Sequence, residues 1–238
     1  MTQQQSIPDL YKSTTHSCPY LKDREAANLL VDPRFEVTPP LYDNLIRSGF
    51  RRNGKLYYRP HCPACMACRS VRIPVKNFTP NRSQKRTVVK NDDVRYDFRS
   101  PSYSDEHFWL YRKYQAIRHS GDSMDDSDPE KYQQFLVQSN IDTFLIEMRI
   151  RRRLVGVSVV DHVANGLSAV YTFFDPIEER RSLGTLAILN QIELARQIDY
   201  EFLYLGYWIA DCSKMRYKEN FSPLEAFDTE IGEWCNIA

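Results

Sequence analysis

Apolar positions recur with a period of two in some stretches of the chain and near 3.6 in others, and this contrast predicts its elements. Leu56 to Arg59, Ser70 to Pro74 and Val94 to Phe98 read as strands. A short helical stretch is expected around Arg24 to Val31, within an otherwise irregular, Pro-bearing first forty residues. Ser104 offers an N-cap to a helix from Asp105 to about His119, with Phe108, Tyr111 and Tyr114 along one side. The polar loop from Ser120 to Asp128 then leads through Asp128-Pro129 into a short helix ending near Val137.

Three β-rich runs follow, Thr143 to Arg149, Leu154 to Val160 and Leu167 to Phe174, with short connections at Arg151 to Arg153 and Ala164 to Gly166. They read as an antiparallel meander whose first connection is a solvated hairpin. After Asp175-Pro176 the period changes, and Leu183, Leu186, Leu189 and Ile192 fit a helix from about Ser182 to Ile198. Phe202 to Tyr207 is then a buried strand, and Ser213 to Glu219 starts another helix. The expected class is α+β, with an acetyltransferase-like (GNAT-like) core on a mixed sheet over residues 101–238. A smaller, basic, Cys-bearing region over residues 1–100 precedes it.

Composition narrows the options. Of 238 residues, 42% are hydrophobic and 26% charged, which excludes a low-complexity or wholly disordered chain. The longest apolar run, Phe202 to Ala210, is roughly half of what a bilayer span needs, so no membrane role is expected. The opening MTQQQSIPDL lacks a basic start and an apolar stretch, so a cytoplasmic address is expected.

Charge is divided unevenly. Residues 1–100 hold 18 Lys and Arg against 9 Asp and Glu, whereas the remainder holds 14 against 22. Asn44 to Asn91 carries 12 basic residues and no carboxylate, interleaved with Phe50, Tyr57, Tyr58 and Phe78, a composition suited to nucleic-acid phosphate.

Cys62, Cys65 and Cys68 form a CxxCxxC run, and Cys18 could add a fourth ligand for tetrahedral Zn or an iron–sulfur cluster. The alternative is four reduced thiols packed in a compact loop. Cys212 and Cys235 read as small buried residues.

The segment ERRSLGTLAIL enters the long helix where coenzyme A-dependent acetyltransferases carry a Gly-rich loop, yet it holds only Gly184. Arg180, Arg181, Ser182 and Thr185 remain suited to a phosphate, including one near the 3′ end of an RNA. An aminoacyl-tRNA donor would reconcile this core with the basic half.

The segments SCPYL, YRPHCPACMACRSVRIPV, FTPNRSQKR, VYTFFDP, SLGTLAILNQIELAR and LYLGYWIADCSKMRYK resemble the aminoacyl-tRNA–protein transferases, in order from Cys18 to about Phe221. Within that family they look like the leucine-transferring bacterial branch. The resemblance implies transfer of leucine from Leu-tRNA to the α-amine of proteins beginning with Asp or Glu, creating an N-degron for degradation. No cofactor is required for such a transfer. The arginine-transferring relatives differ in donor alone and are the closest alternative, ahead of a coenzyme A-dependent N-acetyltransferase or a non-enzymatic RNA-binding or redox-sensing module built on the cysteines.

The match makes Ser83, Gln84, Lys85 and Arg86 of SQKR, with Arg82, and Lys214, Arg216 and Lys218 of CSKMRYK, candidates for tRNA phosphate or the acceptor carboxylate. Asp175 is the candidate for accepting an amine proton, and Tyr171 and Tyr207 are candidate oxyanion donors. A leucine pocket would draw on Phe173, Phe174, Leu186 and Tyr207.

Overall fold

The computed structural model describes residues 8–118 and 128–237, so His119 and the expected loop before Asp128 lie outside the described residues. The chain begins with β1 (Leu10–Lys12), the short strands β2 (His16–Ser17) and β3 (Glu25–Ala26), β4 (Asn28–Val31), helix α1 (Pro39–Arg47), β5 (Arg51–Asn53) and β6 (Leu56–Pro60). Four of these strands form an antiparallel sheet in the order β1-β4-β6-β5. The helix expected at Arg24 to Val31 is therefore replaced by strand. Leu29 and Leu30 pair with β1 on one side and β6 on the other, and this two-sided ladder overrides local preference. Helix α1 starts at Pro39-Pro40, where a missing N–H goes unnoticed, and buries Tyr42, Leu45 and Ile46 against Val31, Phe50 and Tyr57.

The main sheet is built from β7 (Arg69–Pro74), β8 (Val94–Arg99), β9 (Thr143–Ile150), β10 (Arg153–Val163), β11 (Gly166–Phe174), β12 (Phe202–Trp208), β13 (Glu225–Asp228) and β14 (Glu233–Asn236). Between them run α2 (Arg82–Lys90), α3 (Asp105–Arg118), α4 (Pro129–Tyr132), α5 (Leu183–Gln197) and α6 (Ser213–Arg216). The expected helix after Asp128 does form, capped by that carboxylate, but its second half over Gln133–Val137 is π-helical. The helix from Ser213 is broken too, passing into a 3₁₀ turn at Tyr217–Asn220.

Strand order in the eight-stranded sheet is β14-β13-β7-β12-β11-β10-β9-β8. Strands β9 to β11 make the expected antiparallel meander, β8 pairs antiparallel with β9, and β12 joins β11 in parallel after a crossover through α5. The sheet is mixed and the class is α+β. Residues before position 100 supply both the small sheet and two strands of the large one, with β7 inserted between β12 and β13. The terminal β13–β14 hairpin has no counterpart in the sequence reading.

Helices cover both faces of this sheet. On one side Leu154, Val157 and Val159 of β10 pack with Phe108 and Tyr111 of α3 and with Tyr132 and Leu136. On the other, Val155 and Val160 pack into clusters containing Leu183, Leu186, Ile188 and Ile192 of α5. Fully burying each such side chain contributes about 1.5–3 kcal/mol.

One feature of this sheet positions chemistry. The parallel ladder between β11 and β12 has three pairs, from Gly166↔Phe202 to Ser168↔Tyr204, although β11 continues to Phe174 and β12 to Trp208. A register shift against β7 between Tyr204 and Gly206 bends β12 at that point. The two central strands therefore part beyond Ser168 and Tyr204.

Candidate functional site

Arg51, from β5 of the small sheet, reaches into this split. Its Nη1 donates to Ser168 Oγ at 3.1 Å and its Nη2 to the Ala169 carbonyl on β11. Against β12 it lies on Gly206, where an added Cβ would sit 3.3 Å from Nε. Gly206 also has φ +78°, so the position demands glycine twice over. From the far side comes Lys218, fully buried, whose Nζ donates to the Tyr207 carbonyl of β12. Burial, then the charge of Arg51, brings the Lys218 ammonium down to about 7.

The motifs picked out in the sequence converge on α2. Asn81 and Gln84 form a capping box at its start, each side chain accepting from the other's backbone N–H at 3.0 and 2.8 Å. Gln84 Nε2 donates to the Asn220 carbonyl at 2.9 Å, tying SQKR to the turn that follows CSKMRYK. At the other end Lys90 donates to the Arg180 carbonyl and Asn91 to the Arg181 carbonyl, at 2.8 and 2.9 Å, tying in ERRSLGT. Gln84 is thus a buried clamp, whereas Arg82, Ser83, Lys85 and Arg86 are exposed.

The remaining cations divide similarly. Arg180, Lys214 and Arg216 are exposed. Arg216 donates through Nε to the Ala210 carbonyl at 2.7 Å. Arg181 is held by Asp93 at 2.7 Å and Glu178 at 3.1 Å, which removes most of its appeal for phosphate. Ser182 stands at the start of α5 in the left-handed region, φ +54°, and makes no side-chain cap; Thr185 is half-buried in the first turn. In the hairpin before β10, Arg151 and Arg152 are exposed as expected, while Arg153 pairs with Asp175 and Glu178.

The basic stretch is partly structural, contrary to a uniform phosphate surface. Arg52 is fully buried against Asp161, with Nη2–Oδ1 at 2.6 Å and Nε–Oδ2 at 2.7 Å. Arg72 pairs with Glu225 at 2.7 Å and lies over the rings of Phe202 and Trp234, at 3.6 and 4.4 Å from their centroids.

The three candidate catalytic groups are otherwise engaged. Asp175 is buried, receives Lys113 at 2.7 Å and Arg153 at 3.0 Å, and accepts from the Ile177 N–H at 3.1 Å. Burial raises its carboxyl, but these donors and charges outweigh that and hold it below the usual range, the opposite of what a base requires. Tyr207 gives its single proton to the Tyr58 carbonyl at 3.0 Å, with the Gly49 carbonyl at 3.4 Å, and so staples β12 to the small sheet. Tyr171 donates to Gln115 Oε1 at 3.2 Å within a ring cluster containing Tyr111, Tyr114 and Phe135.

The expected leucine pocket does not assemble from its four named residues. Phe173 lies in another core cluster and Tyr207 binds the small sheet, whereas Phe174, half-buried beside Tyr114 with ring centroids 5.0 Å apart, packs against the cluster that holds Leu186.

Cys18, Cys62, Cys65 and Cys68 are half-buried free thiols. Burial, then the neighbouring Cys62 and Cys18 sulfurs, pushes the Cys68 thiol up to about 12, and Arg24 Nη1 donates to Cys65 Sγ at 3.2 Å. Among the described residues, no group of three or more His, Cys, Asp or Glu is placed to hold a metal ion.

Sequence reasoning missed Arg51, Arg52, Asp161 and Gly206. Nothing local marked them, since an Arg-Arg pair beside the turn Asn53-Gly54 reads as an ordinary surface hairpin.

Two family models cover most of the chain. The one described as arginine-tRNA-protein transferase, N terminus, matches residues 16–86, and the C-terminal counterpart matches residues 106–228. An aspartate/glutamate leucyltransferase of Chromohalobacter salexigens is 46% identical over 220 residues, covering 92% of this chain and 89% of that protein. A protein of the same name from Thiobacillus denitrificans is 46% identical over 215 residues, 90% of each chain. The solved structure of L-PGS from Bacillus licheniformis aligns at a TM-score of 0.46 and 10% identity over 60% of this chain and 46% of that one, too distant to carry an argument. Among the described residues no helix is long and apolar enough to cross a membrane.

Proposed function

The chain belongs to the arginine-tRNA-protein transferase family, and we propose that it moves leucine from Leu-tRNA to the α-amine of proteins beginning with Asp or Glu. The observation carrying this reading is 46% identity, over nine-tenths of the chain, to relatives named aspartate/glutamate leucyltransferase. The product would expose an N-terminal leucine as a degradation signal, with transfer in the cytoplasm.

The parting of β11 and β12 leaves a place between two diverging strands where acyl group and amine would meet, in keeping with an acetyltransferase-like core. The chemistry asks little of a base. The donor is an activated ester, and an α-amine with a pKa of about 7.7–8.0 is neutral in roughly a tenth or more of molecules at pH 7. Alignment of amine and ester then supplies most of the rate, several kcal/mol by proximity, with fixed N–H donors receiving the tetrahedral oxyanion. This agrees with a site whose Asp175 and Tyr207 are both committed to structure. The exposed Arg82, Lys85, Arg86 and Arg180 would hold tRNA phosphate around the α2 junction, with Lys214 and Arg216 beside them.

The test supplies separately charged Leu-tRNA and Arg-tRNA with peptides starting in Asp, Glu or Ala, and weighs the products. Leucine on Asp and Glu but not on Ala is expected. Arginine transfer in its place, or addition to Ala at equal rate, would refute the donor or the acceptor assignment respectively.

A further inference from the structure

Two basic side chains lie buried where β11 and β12 part, and among the described residues no carboxylate comes within ion-pair distance of either. Arg51 is 7% exposed and Lys218 5%. Arg51 donates only to neutral oxygens, Ser168 Oγ and the Ala169 carbonyl. Lys218 reaches the Tyr207 carbonyl and, at 3.7 Å, Met215 Sδ. The buried carboxylate of this region, Asp161, is already taken by Arg52, by Tyr42 at 2.7 Å and by Thr143 at 2.7 Å.

The contrast with the other inward-facing arginines is physical. Arg52 has Asp161 and Arg72 has Glu225. A charge held out of water without a counterion is costly, so proteins pair such groups or reserve them for a ligand. Arg51 and Lys218 are close enough for the charge of Arg51 to depress the lysine ammonium, so each makes the other less comfortable. One anion between them relieves both.

We propose that Arg51 and Lys218 form an anion subsite at the base of the β11–β12 split that receives the side-chain carboxylate of the acceptor's first residue, an inference that rests on the transfer reading above. The enclosure selects this ligand. Cations so nearly buried suit one carboxylate on a short side chain, whereas a polynucleotide backbone needs surface cations such as Lys85 and Arg86. A guanidinium fork matches a carboxylate in two hydrogen bonds, and Arg51 has donors beyond the two it uses. Asn and Gln, which bring no charge, would leave both cations unanswered.

The test compares Leu transfer to peptides beginning with Asp and with Asn, in wild type, Arg51→Lys and Lys218→Met, with folding checked by circular dichroism and Leu-tRNA affinity measured in parallel. Each variant is expected to lower kcat/KM for the Asp peptide roughly 10- to 100-fold, as loss of a charge-assisted bond does. Transfer to the Asn peptide and tRNA affinity should stay within about threefold. Should a variant fail to fold, calorimetry on wild type at pH 8 in two buffers of different ionisation heat serves instead. Binding of the Asp peptide should take up a proton as Lys218 regains its charge, and binding of the Asn peptide should not. An unchanged Asp-to-Asn ratio in a folded variant, weakened tRNA binding with that ratio intact, or no proton uptake would overturn the proposal while leaving leucyl transfer standing. Failure of wild type to transfer leucine to either Asp or Glu would remove both.

Discussion

Arg52 and Asp161 meet in a two-pronged ion pair, 2.6 and 2.7 Å, with both side chains fully out of solvent, and thereby lock β5 of the small sheet onto β10 of the large one. Breaking one half of a buried pair leaves the other charge stranded, which costs about 3–5 kcal/mol. Asp161→Asn is therefore expected to lower unfolding free energy by that amount in urea titrations. Arg52→Met combined with Asp161→Leu should recover only part of the loss, because the buried Tyr42 hydroxyl then lacks its acceptor. A single substitution that costs less than about 1 kcal/mol would show that the pair does not hold the two sheets together.

Gly206 is the point where β12 turns away from β11. Ala there meets both the left-handed backbone, φ +78°, and the Arg51 guanidinium at 3.3 Å. The expected cost of Gly206→Ala is about 1–2 kcal/mol from the backbone alone. Transfer activity should fall as well, since Arg51 must move. Unchanged thermal stability and unchanged kcat/KM would contradict the tight approach of side chain to strand.

Lys218 makes stability depend on pH. Its ammonium is lowered to about 7 by burial and by Arg51, partly opposed by Cys212, while an unfolded lysine keeps its proton to about 10.4. Between those values the unfolded chain binds the extra proton, so stability rises with pH, by at most about 1.4 kcal/mol per unit. Below pH 7 the full penalty is present. Urea unfolding at pH 7, 8 and 9 should show this slope in wild type and its loss in Lys218→Met; parallel slopes would mean that the lysine is not shifted.

Asp175 serves as an N-cap and ion-pair partner. Asp175→Asn keeps its shape but weakens its hold on Lys113 and Arg153, so a lowered melting temperature is expected with kcat changed by less than about tenfold. Loss of a true general base costs about 10²–10⁴-fold. A drop in that range, in a folded variant, would return the residue to the chemistry. Because its carboxyl lies below the usual range, its stabilising contribution is present above about pH 4 and fades as pH falls further.

The sequence by itself determined the meander, the long helix α5 and the strand after it, because each is set by local periodicity with turn residues at its ends, such as Asp175-Pro176 after β11. It also determined the family, through motifs that survive in order along the chain. Tertiary structure alone decided which charges are free. Arg51, Arg52 and Arg72 look like any other surface cation in a basic run, yet one is sealed with Asp161, one is boxed by Glu225 and two aromatic rings, and one has no carboxylate partner among the described residues. Their partners lie some ninety to 150 positions away in the chain, and no local pattern encodes a pairing over that distance. The strand at Asn28–Val31 was hidden for the same reason, since it exists only through its neighbours on either side. Local chemistry proposes what a residue could do; burial and the company it keeps decide what remains for it to do.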